Sequence, residues 1–351
     1  MFGIPRRSLH TVLAIVLAAF IPPAFCSALI PGHYAGTLPC ADCPGIETHL
    51  DIAADGTYVL REYYIDRSTK SNDDIGRWLL STDNQVLALY GQQNPPLFFS
   101  IDNKHQTLER RDMARQPILS SLNYRLQRQA PSTPPVLHLQ LNGLLHLTDG
   151  QPARFTECVT GTVFPVAETG AYTTVIATYL KTRHRENTAQ PSVIRIRGRI
   201  EPDSMLVIQQ FNGFYPLPDC PATITNRPLT GSQWTLIQEN ADSTTSSAYL
   251  TFSTAGELKG HTDCGQITAR YLTEQNTMNI SMIEQTHTIC SDPQAADNTL
   301  LKILEAVHTW RITGTFLDFY NAAGQHIGQF ETVKPQVSPL SGTIRPNQTT
   351  P

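Results

Sequence analysis

The placement of sulfur constrains this chain more than any other feature. Of its seven cysteines, Cys26 stands apart in an apolar N-terminal stretch, and the other six fall into three neighbouring groups, 40/43, 158/220 and 264/290. Six cysteines permit fifteen connectivities. The groups coincide with breaks in composition, so pairing within each group is the simplest arrangement in an oxidising compartment. Chain entropy assigns roughly 4 kcal/mol to the 63-residue loop of Cys158/Cys220, ~3.5 to the 27-residue loop of Cys264/Cys290 and only ~2 to the four-residue loop of Cys40/Cys43, before strain. The first pair is the weakest staple, and the chain reads as three successive units.

The oxidising compartment is itself legible at the N-terminus. Residues 1–28 open with Arg6 and Arg7, hold no acidic residue, and carry one apolar run, Val12 to Ile21, closed by Pro22 and Pro23. A run of ten residues is about half of what a bilayer core requires, so the segment reads as a secretory signal and not as a membrane span. Two routes of cleavage are open. Cys26 offers a site for lipidation, although the residue before it is Phe25 where bacterial lipoproteins carry a small one; simple cleavage after Ala28 fits equally. Loss of the two arginines moves the formal charge from -4 to -6. With no dense Lys/Arg run beside that acidic balance, nucleic acid is not an expected partner.

Residues 29–128 make the first unit. Leu50, Ile52, Tyr58 and Leu60 lie on one face of two alternating segments joined at Asp55-Gly56, a strong hairpin signal. Further turns near Asp83-Asn84 and Asp102-Asn103-Lys104 space the strands as in a meander or small barrel. Before the first hairpin stands Tyr34-Ala35-Gly36-Thr37-Leu38-Pro39-Cys40-Ala41-Asp42-Cys43-Pro44-Gly45. With Asp55-Gly56-Thr57-Tyr58, this stretch resembles the N-terminal module of the NlpE family of copper-homeostasis and adhesion envelope lipoproteins. The resemblance implies a small lipocalin-like β-barrel and a role in envelope sensing, without catalysis.

Two cysteines at this spacing close a small redox-labile ring or, when reduced, offer paired soft thiolates to Cu(I). A thioredoxin-like oxidoreductase would place the pair at the start of a helix within a βαβ pattern, whereas Pro44-Gly45 and the alternation that follows indicate a loop entering a strand. A plain disulfide at the barrel mouth competes with redox or metal sensing. Cys40 and Cys43 are the candidate redox or metal residues, and His33 and His49 are weaker candidates for nitrogen ligation.

Residues 129–137 include Pro131, Pro134 and Pro135 without an apolar period, which predicts a semi-rigid extended connector. The second unit, 138–224, contains Ala153 to Gly161 around Cys158, then Phe164-Pro165-Val166-Ala167, and Phe214-Tyr215-Pro216-Leu217-Pro218-Asp219-Cys220. These stretches resemble the C-terminal module of the same family, which implies an OB-like β-barrel and a Cys158–Cys220 disulfide. Residues 170–182 can form its short helix. Val193 to Ile200 alternates as a strand that sets Arg195, Arg197 and Arg199 on one face; without interleaved aromatic residues the row reads as a solvated strand face.

The third unit, 228–333, begins at Leu229-Thr230-Gly231-Ser232-Gln233-Trp234 and runs through Gly256-Glu257-Leu258-Lys259-Gly260, Asp263-Cys264-Gly265, Thr286 to Cys290 and Leu317-Asp318-Phe319-Tyr320. This order resembles the META/HslJ domain, an exported α+β module associated with stress tolerance and envelope proteins, and the resemblance implies stability or binding. Asp292 and Pro293 start the clearest helix of the chain, with Leu300, Leu301, Leu304 and Val307 at helical spacing. His261, Asp263, Cys264, His287 and Cys290 form a conceivable zinc or copper set, but export favours a Cys264–Cys290 disulfide. The tail, 334–351, is expected to be disordered.

The chain therefore reads as mainly β: a lipocalin-like barrel, an OB-like barrel and an α+β META/HslJ domain in tandem. It lacks Gly-x-Ser-x-Gly, His-Glu-x-x-His and a phosphate loop, so catalysis is not expected. The functional expectation is an exported protein of a Gram-negative envelope, periplasmic or held at the outer membrane through a lipidated Cys26. There it would sense or buffer copper, redox or envelope stress through the Cys40/Cys43 loop and report through contacts with a protein partner, such as a stress-sensing system. No cofactor is obligatory, and Cu(I) on reduced Cys40/Cys43 is the candidate. The competing expectation is a passive disulfide-stapled scaffold that binds a hydrolase or surface partner without metal chemistry.

Overall fold

The computed structural model describes residues 30–92, 95–104, 106–131, 135–186, 193–215, 219–220, 224–237, 248–262, 265–287 and 297–332. Period-two alternation dominates these segments, and strands account for most of them. The first eight are β1 (Gly32–Leu38), β2 (Ile46–Ile52), β3 (Thr57–Tyr64), β4 (Asn72–Leu80), β5 (Val86–Gly91), β6 (Leu97–Asp102), β7 (Thr107–Arg110) and β8 (Arg125–Gln129). Each pairs with the next, and β8 returns to β1 through His33↔Gln129, Tyr34↔Arg128 and Ala35↔Gln127, so the sheet closes. Closure leaves no edge for another chain to extend.

The Asp55-Gly56 signal works as local chemistry predicts. Gly56 takes φ +88°, and the Asp55 carboxylate accepts hydrogen bonds from Thr57 N at 2.9 Å and Thr57 Oγ1 at 2.6 Å. Leu50, Ile52, Tyr58 and Leu60 then face the barrel interior with Leu87, Leu89, Phe99, Leu108 and Leu126. One polar pair is buried beside them. Tyr58 OH donates to Asp74 Oδ2 at 3.0 Å, and Gln92 N donates to Asp74 Oδ1 at 3.1 Å. Gly91 makes room for this pair, because a Cβ there would collide with Asp74 Oδ2 and Tyr58 OH.

The second sheet contains β9 (Leu137–His146), β10 (Arg154–Glu157), β11 (Val163–Pro165), β12 (Val193–Ile200) and β13 (Leu206–Phe214), in the order β11-β10-β9-β12-β13. The helix α1 (Tyr172–Glu186) lies between β11 and β12 in sequence. A parallel bridge between Val166 and Leu206 joins the two ends of the sheet, which makes it the partly open five-stranded barrel of an OB-like module. Val175 and Tyr179, four residues apart on α1, are fully buried on it, and Tyr179 OH donates to Leu145 O at 3.1 Å.

Eight more strands follow: β14 (Gln233–Leu236), β15 (Tyr249–Phe252), β16 (Glu257–Thr262), β17 (Gly265–Glu274), β18 (Thr277–His287), β19 (Thr309–Thr313), β20 (Phe316–Tyr320) and β21 (His326–Thr332), with α2 (Asp297–Ala306) between β18 and β19. The α+β unit expected from the sequence is a closed barrel whose helix supplies part of the core. Leu300, Ile303 and Leu304 form the buried stripe of α2 and Val307, just past its end, is buried with them, whereas Leu301 sits at its flank. The proposed helix start at Asp292 and Pro293 lies outside the described residues.

Residues 132–134 of the proline-rich stretch, expected to be an extended connector, lie outside the described residues. Gln129 ends β8 and Leu137 begins β9, and the first barrel packs on both other units. Toward the second, Arg61 forks onto Asp73 at 2.8 and 2.9 Å, and Asp73 Oδ2 also accepts His138 N at 2.7 Å. Ile75 and Val59 of the first barrel join the second unit's core. Toward the third, Arg115 and Asp318 form a fully buried fork at 2.7 and 2.8 Å. Arg115 reaches it from a turn at φ +62°, a left-handed conformation that side chains adopt only when their surroundings demand it. Its guanidinium lies over Phe98 of the first barrel and Phe316 of the third. A second ion pair, Arg311 to Asp83 at 2.7 Å, flanks it.

Candidate functional site

The Cys40/Cys43 loop is built by the end of the first hairpin. The last β1–β2 rungs are Thr37↔Glu47 and Leu38↔Ile46, after which the chain leaves the ladder through Pro39 and re-enters it through Pro44-Gly45. Gly45 is buried in a close approach, since a Cβ there would meet Thr37 Cγ2, and its carbonyl accepts Ile65 N at 3.1 Å. Between these anchors the structure pairs Cys40 with Cys43, Cα to Cα 5.3 Å. Both sulfur-bearing residues are half-buried, with Ala41 and Asp42 exposed between them.

Asp42 belongs to the site and was not singled out by sequence reasoning. One ligand atom each from Cys40, Asp42 and Cys43 lies within 4.8 Å of the others. Arg67 faces the group, with Nη2 2.6 Å from Asp42 Oδ2 across an exposed ion pair. Asp42 Oδ1 in turn lies 3.5 Å from Cys40 Sγ, so the arginine offsets the charge of a carboxylate that would otherwise disfavour a thiolate there. The signal for Asp42 was its place inside the Cys-x-x-Cys itself, whereas Arg67 comes from the β3–β4 turn and is not indicated by spacing.

The two histidines do not join the sulfur pair. His33 and His49 stack on each other with ring centroids 5.6 Å apart on the wall of β1 and β2, several rungs from the loop. His33 Nδ1 lies 2.8 Å from Asp51 Oδ1, and His49 Nε2 lies 3.0 Å from Glu47 Oε1. Among the described residues no other group of three metal-ligating side chains converges. The donor set at the loop is therefore two sulfurs and one carboxylate. After reduction it fits a soft monovalent ion such as Cu(I), and it lacks the imidazoles typical of Zn(II) or Cu(II) sites.

A second disulfide joins Cys158, just past β10, to Cys220, past β13, Cα to Cα 5.0 Å. Its neighbour Glu157 is fully buried and accepts Val159 N, Thr160 N and Thr160 Oγ1 at 2.9, 2.7 and 2.7 Å, together with Gln92 Nε2 from the first barrel. This bridge is structural in setting. Cys26, Asp263, Cys264 and Cys290 lie outside the described residues, and with them the proposed lipidation site and the third pairing. Of the remaining members of that cluster, His261 packs against Tyr249 at 5.2 Å between ring centroids. Among the described residues no helix is long and apolar enough to cross a membrane.

Known proteins match in two blocks. The NlpE N-terminal domain family matches residues 34–121, and the META domain family matches residues 227–334. Lipoprotein NlpE of Escherichia coli (strain K12) is 31% identical over 233 residues, which is 63% of this chain and 91% of that protein. Among solved structures, the Cpx pathway activator NlpE from Escherichia coli shares 30% identity over 55% of this chain and 100% of its own, with a TM-score of 0.23. A putative lipoprotein from Shewanella oneidensis shares 25% identity over 28% of this chain and 88% of its own, with a TM-score of 0.26. Sequence identity that spans nine tenths of a curated lipoprotein, and a Cys-x-x-Cys loop at the mouth of a closed N-terminal barrel, have one consequence: the chain belongs to the NlpE family, with a META domain behind the NlpE modules.

Proposed function

We propose that this protein senses or buffers copper and thiol-redox stress in the bacterial envelope through the Cys40–Cys43 loop, and that it reports by contact with a protein partner. One observation carries the reading: the strands that bear the loop close into a barrel independently of its disulfide. The barrel below it is closed by the β8–β1 pairing, so the disulfide is not needed to hold the strands. A four-residue ring contributes only about 2 kcal/mol, and its sulfurs sit at the protein surface beside Arg67. In this reading the periplasm or the inner face of the outer membrane is the site of action, with Cys26 as the lipid anchor, and the protein has no catalytic role.

The test is stoichiometric Cu(I) binding by the reduced full chain, followed by competition with a chromophoric Cu(I) chelator. Binding of one equivalent that disappears in Cys40→Ser/Cys43→Ser supports the reading; equal binding by both proteins ends it. Mass spectrometry of the mature N-terminus separately reports whether Cys26 carries lipid. A second reading, a passive scaffold, draws on the packing of the first barrel against both other units, through His138 N on Asp73 and the buried Arg115–Asp318 ion pair. It gains if the same variant keeps every partner and stress phenotype.

A further inference from the structure

The arginine row of β12 is not a bare solvated face. Arg195 and Arg197 line a cleft of about 1000 Å³ between the first barrel and the OB-like sheet. Across β9 the register sets Arg195 beside Asn142 and Arg197 beside Gln140, so guanidinium groups alternate with carboxamides on one outward surface. Arg195 is held in place, with Nε donating to Asn142 Oδ1 at 3.1 Å and its guanidinium over the Tyr215 ring. The opposite wall comes from the first barrel, where Lys70 and the hydroxyls of Thr69 and Ser71 face the row.

The charge of this cleft opposes that of the molecule. The whole chain is formally -4, yet Arg61, Lys70, Arg195 and Arg197 line the cleft against Asp73 and Asp74. Asp73 is taken up by the Arg61 fork, and Asp74 is turned into the barrel toward Tyr58 OH and Gln92 N. Neither Arg197 nor Lys70 has an acidic side-chain partner among the described residues. An excess of cation in a concave, open site attracts an anion. Arginine forks match carboxylate and phosphate oxygens in pairs.

Which anion follows from the rest of the lining. Nucleic acid would need open aromatic faces for its bases, but the two nearby rings, Tyr63 and Tyr215, lie under Arg61 and Arg195. A peptide strand would need a free sheet edge or an apolar anchor pocket. The start of β13 is instead capped by Ala167 N and Ala171 N, bonded to Leu206 O and Ile208 O at 2.9 and 2.8 Å. Carboxamides and hydroxyls, each both donor and acceptor, match a chain of sugar hydroxyls. We infer that this cleft binds an acidic oligosaccharide, with Arg195, Arg197 and Lys70 on its carboxylate or phosphate groups and Gln140 and Gln209 on its hydroxyls. The sulfur loop plays no part, so this site and the copper reading stand or fall separately.

Calorimetric titration of the full chain tests it with four probes and a neutral control: an oligogalacturonate for carboxylated sugars, a phosphorylated mannose oligomer for phosphorylated ones, an oligoglutamate, a single-stranded oligonucleotide, and maltohexaose as the control. At least one acidic sugar should bind, more weakly as salt rises to physiological strength, and which one binds identifies the anionic group. Arg195→Gln/Arg197→Gln should weaken that binding by at least about tenfold, with an unchanged melting temperature, while Arg125→Gln on the far wall of the barrel leaves it intact. The inference is overturned if neither acidic sugar binds, if maltohexaose binds equally, if oligoglutamate or DNA binds more tightly, or if the double variant binds as the parent does.

Discussion

The first and third units are both eight-stranded closed barrels, yet they are filled in different ways. The first fills its interior with its own alternating strand residues and keeps one polar pair, Tyr58 and Asp74, among them. The third receives Leu300, Ile303 and Leu304 from α2, around Trp234, Phe319 and Phe330. A barrel that packs itself depends only on its own strands, whereas a barrel that takes core residues from a helix depends on that helix staying docked.

The two barrels are joined by the Arg115–Asp318 fork, and breaking it should give the largest effect. Burial alone would raise the Asp318 carboxyl; the Arg115 guanidinium, with His326 beside it, holds it below its usual range. Arg115→Ala leaves that carboxylate buried without its partner, at a cost of roughly 3–5 kcal/mol. Differential scanning calorimetry should then show the third barrel melting apart from the first. One unsplit transition at the parent temperature would mean that the joint contributes little.

Leu300→Ala tests the dependence on α2. Loss of a fully buried leucine should cost about 3 kcal/mol, and hydrogen exchange should rise in β14 to β21 while β1 to β8 remain protected. Equal loss of protection in both barrels would show that they unfold as one body and that the contrast in filling has no energetic meaning.

Asp74→Asn tests the polar pair of the first barrel. Burial, the largest influence, pushes the Asp74 carboxyl up to about 6. The folded state therefore holds its proton more tightly than the unfolded chain, and this contribution is full below about pH 4 and lost as pH rises toward 6. Asn can accept from Gln92 N through its carbonyl oxygen and donate through its amide nitrogen to the Tyr58 oxygen, without ionising. The variant should be more stable than the parent at neutral pH by at most about 3 kcal/mol, with the difference vanishing toward pH 4 in urea titrations. A constant difference across that range would place the titration elsewhere.

Much of this architecture could be read locally. Asp55-Gly56 specifies its turn through one carboxylate and one left-handed glycine, and β12 follows the expected alternation from Ile194 to Ile200, with Val193 before it also buried. The stripe of α2 was visible at Leu300, Leu304 and Val307, but Ile303 was passed over in favour of Leu301, because rotation of a short helix is set by what it packs against. At the sulfur site the cysteines were evident from spacing, whereas Arg67 was not. His33 and His49 looked close in sequence and lie down the strand wall, since an extended chain carries residues apart at about 3.3 Å each.

By itself, then, the sequence determined the local elements: the turns, the alternation, the helical stripe and the pair of cysteines in one loop. Each depends on residues within a few positions of one another, where backbone geometry and side-chain chemistry leave few choices. Only the tertiary structure decided that β8 closes on β1, that Arg115 meets Asp318 across 203 positions, and that the β12 arginines face Lys70 across a cleft. Those contacts join chain segments with no local signal for each other, and they form because burial of charge and apolar surface is scored over the whole molecule at once.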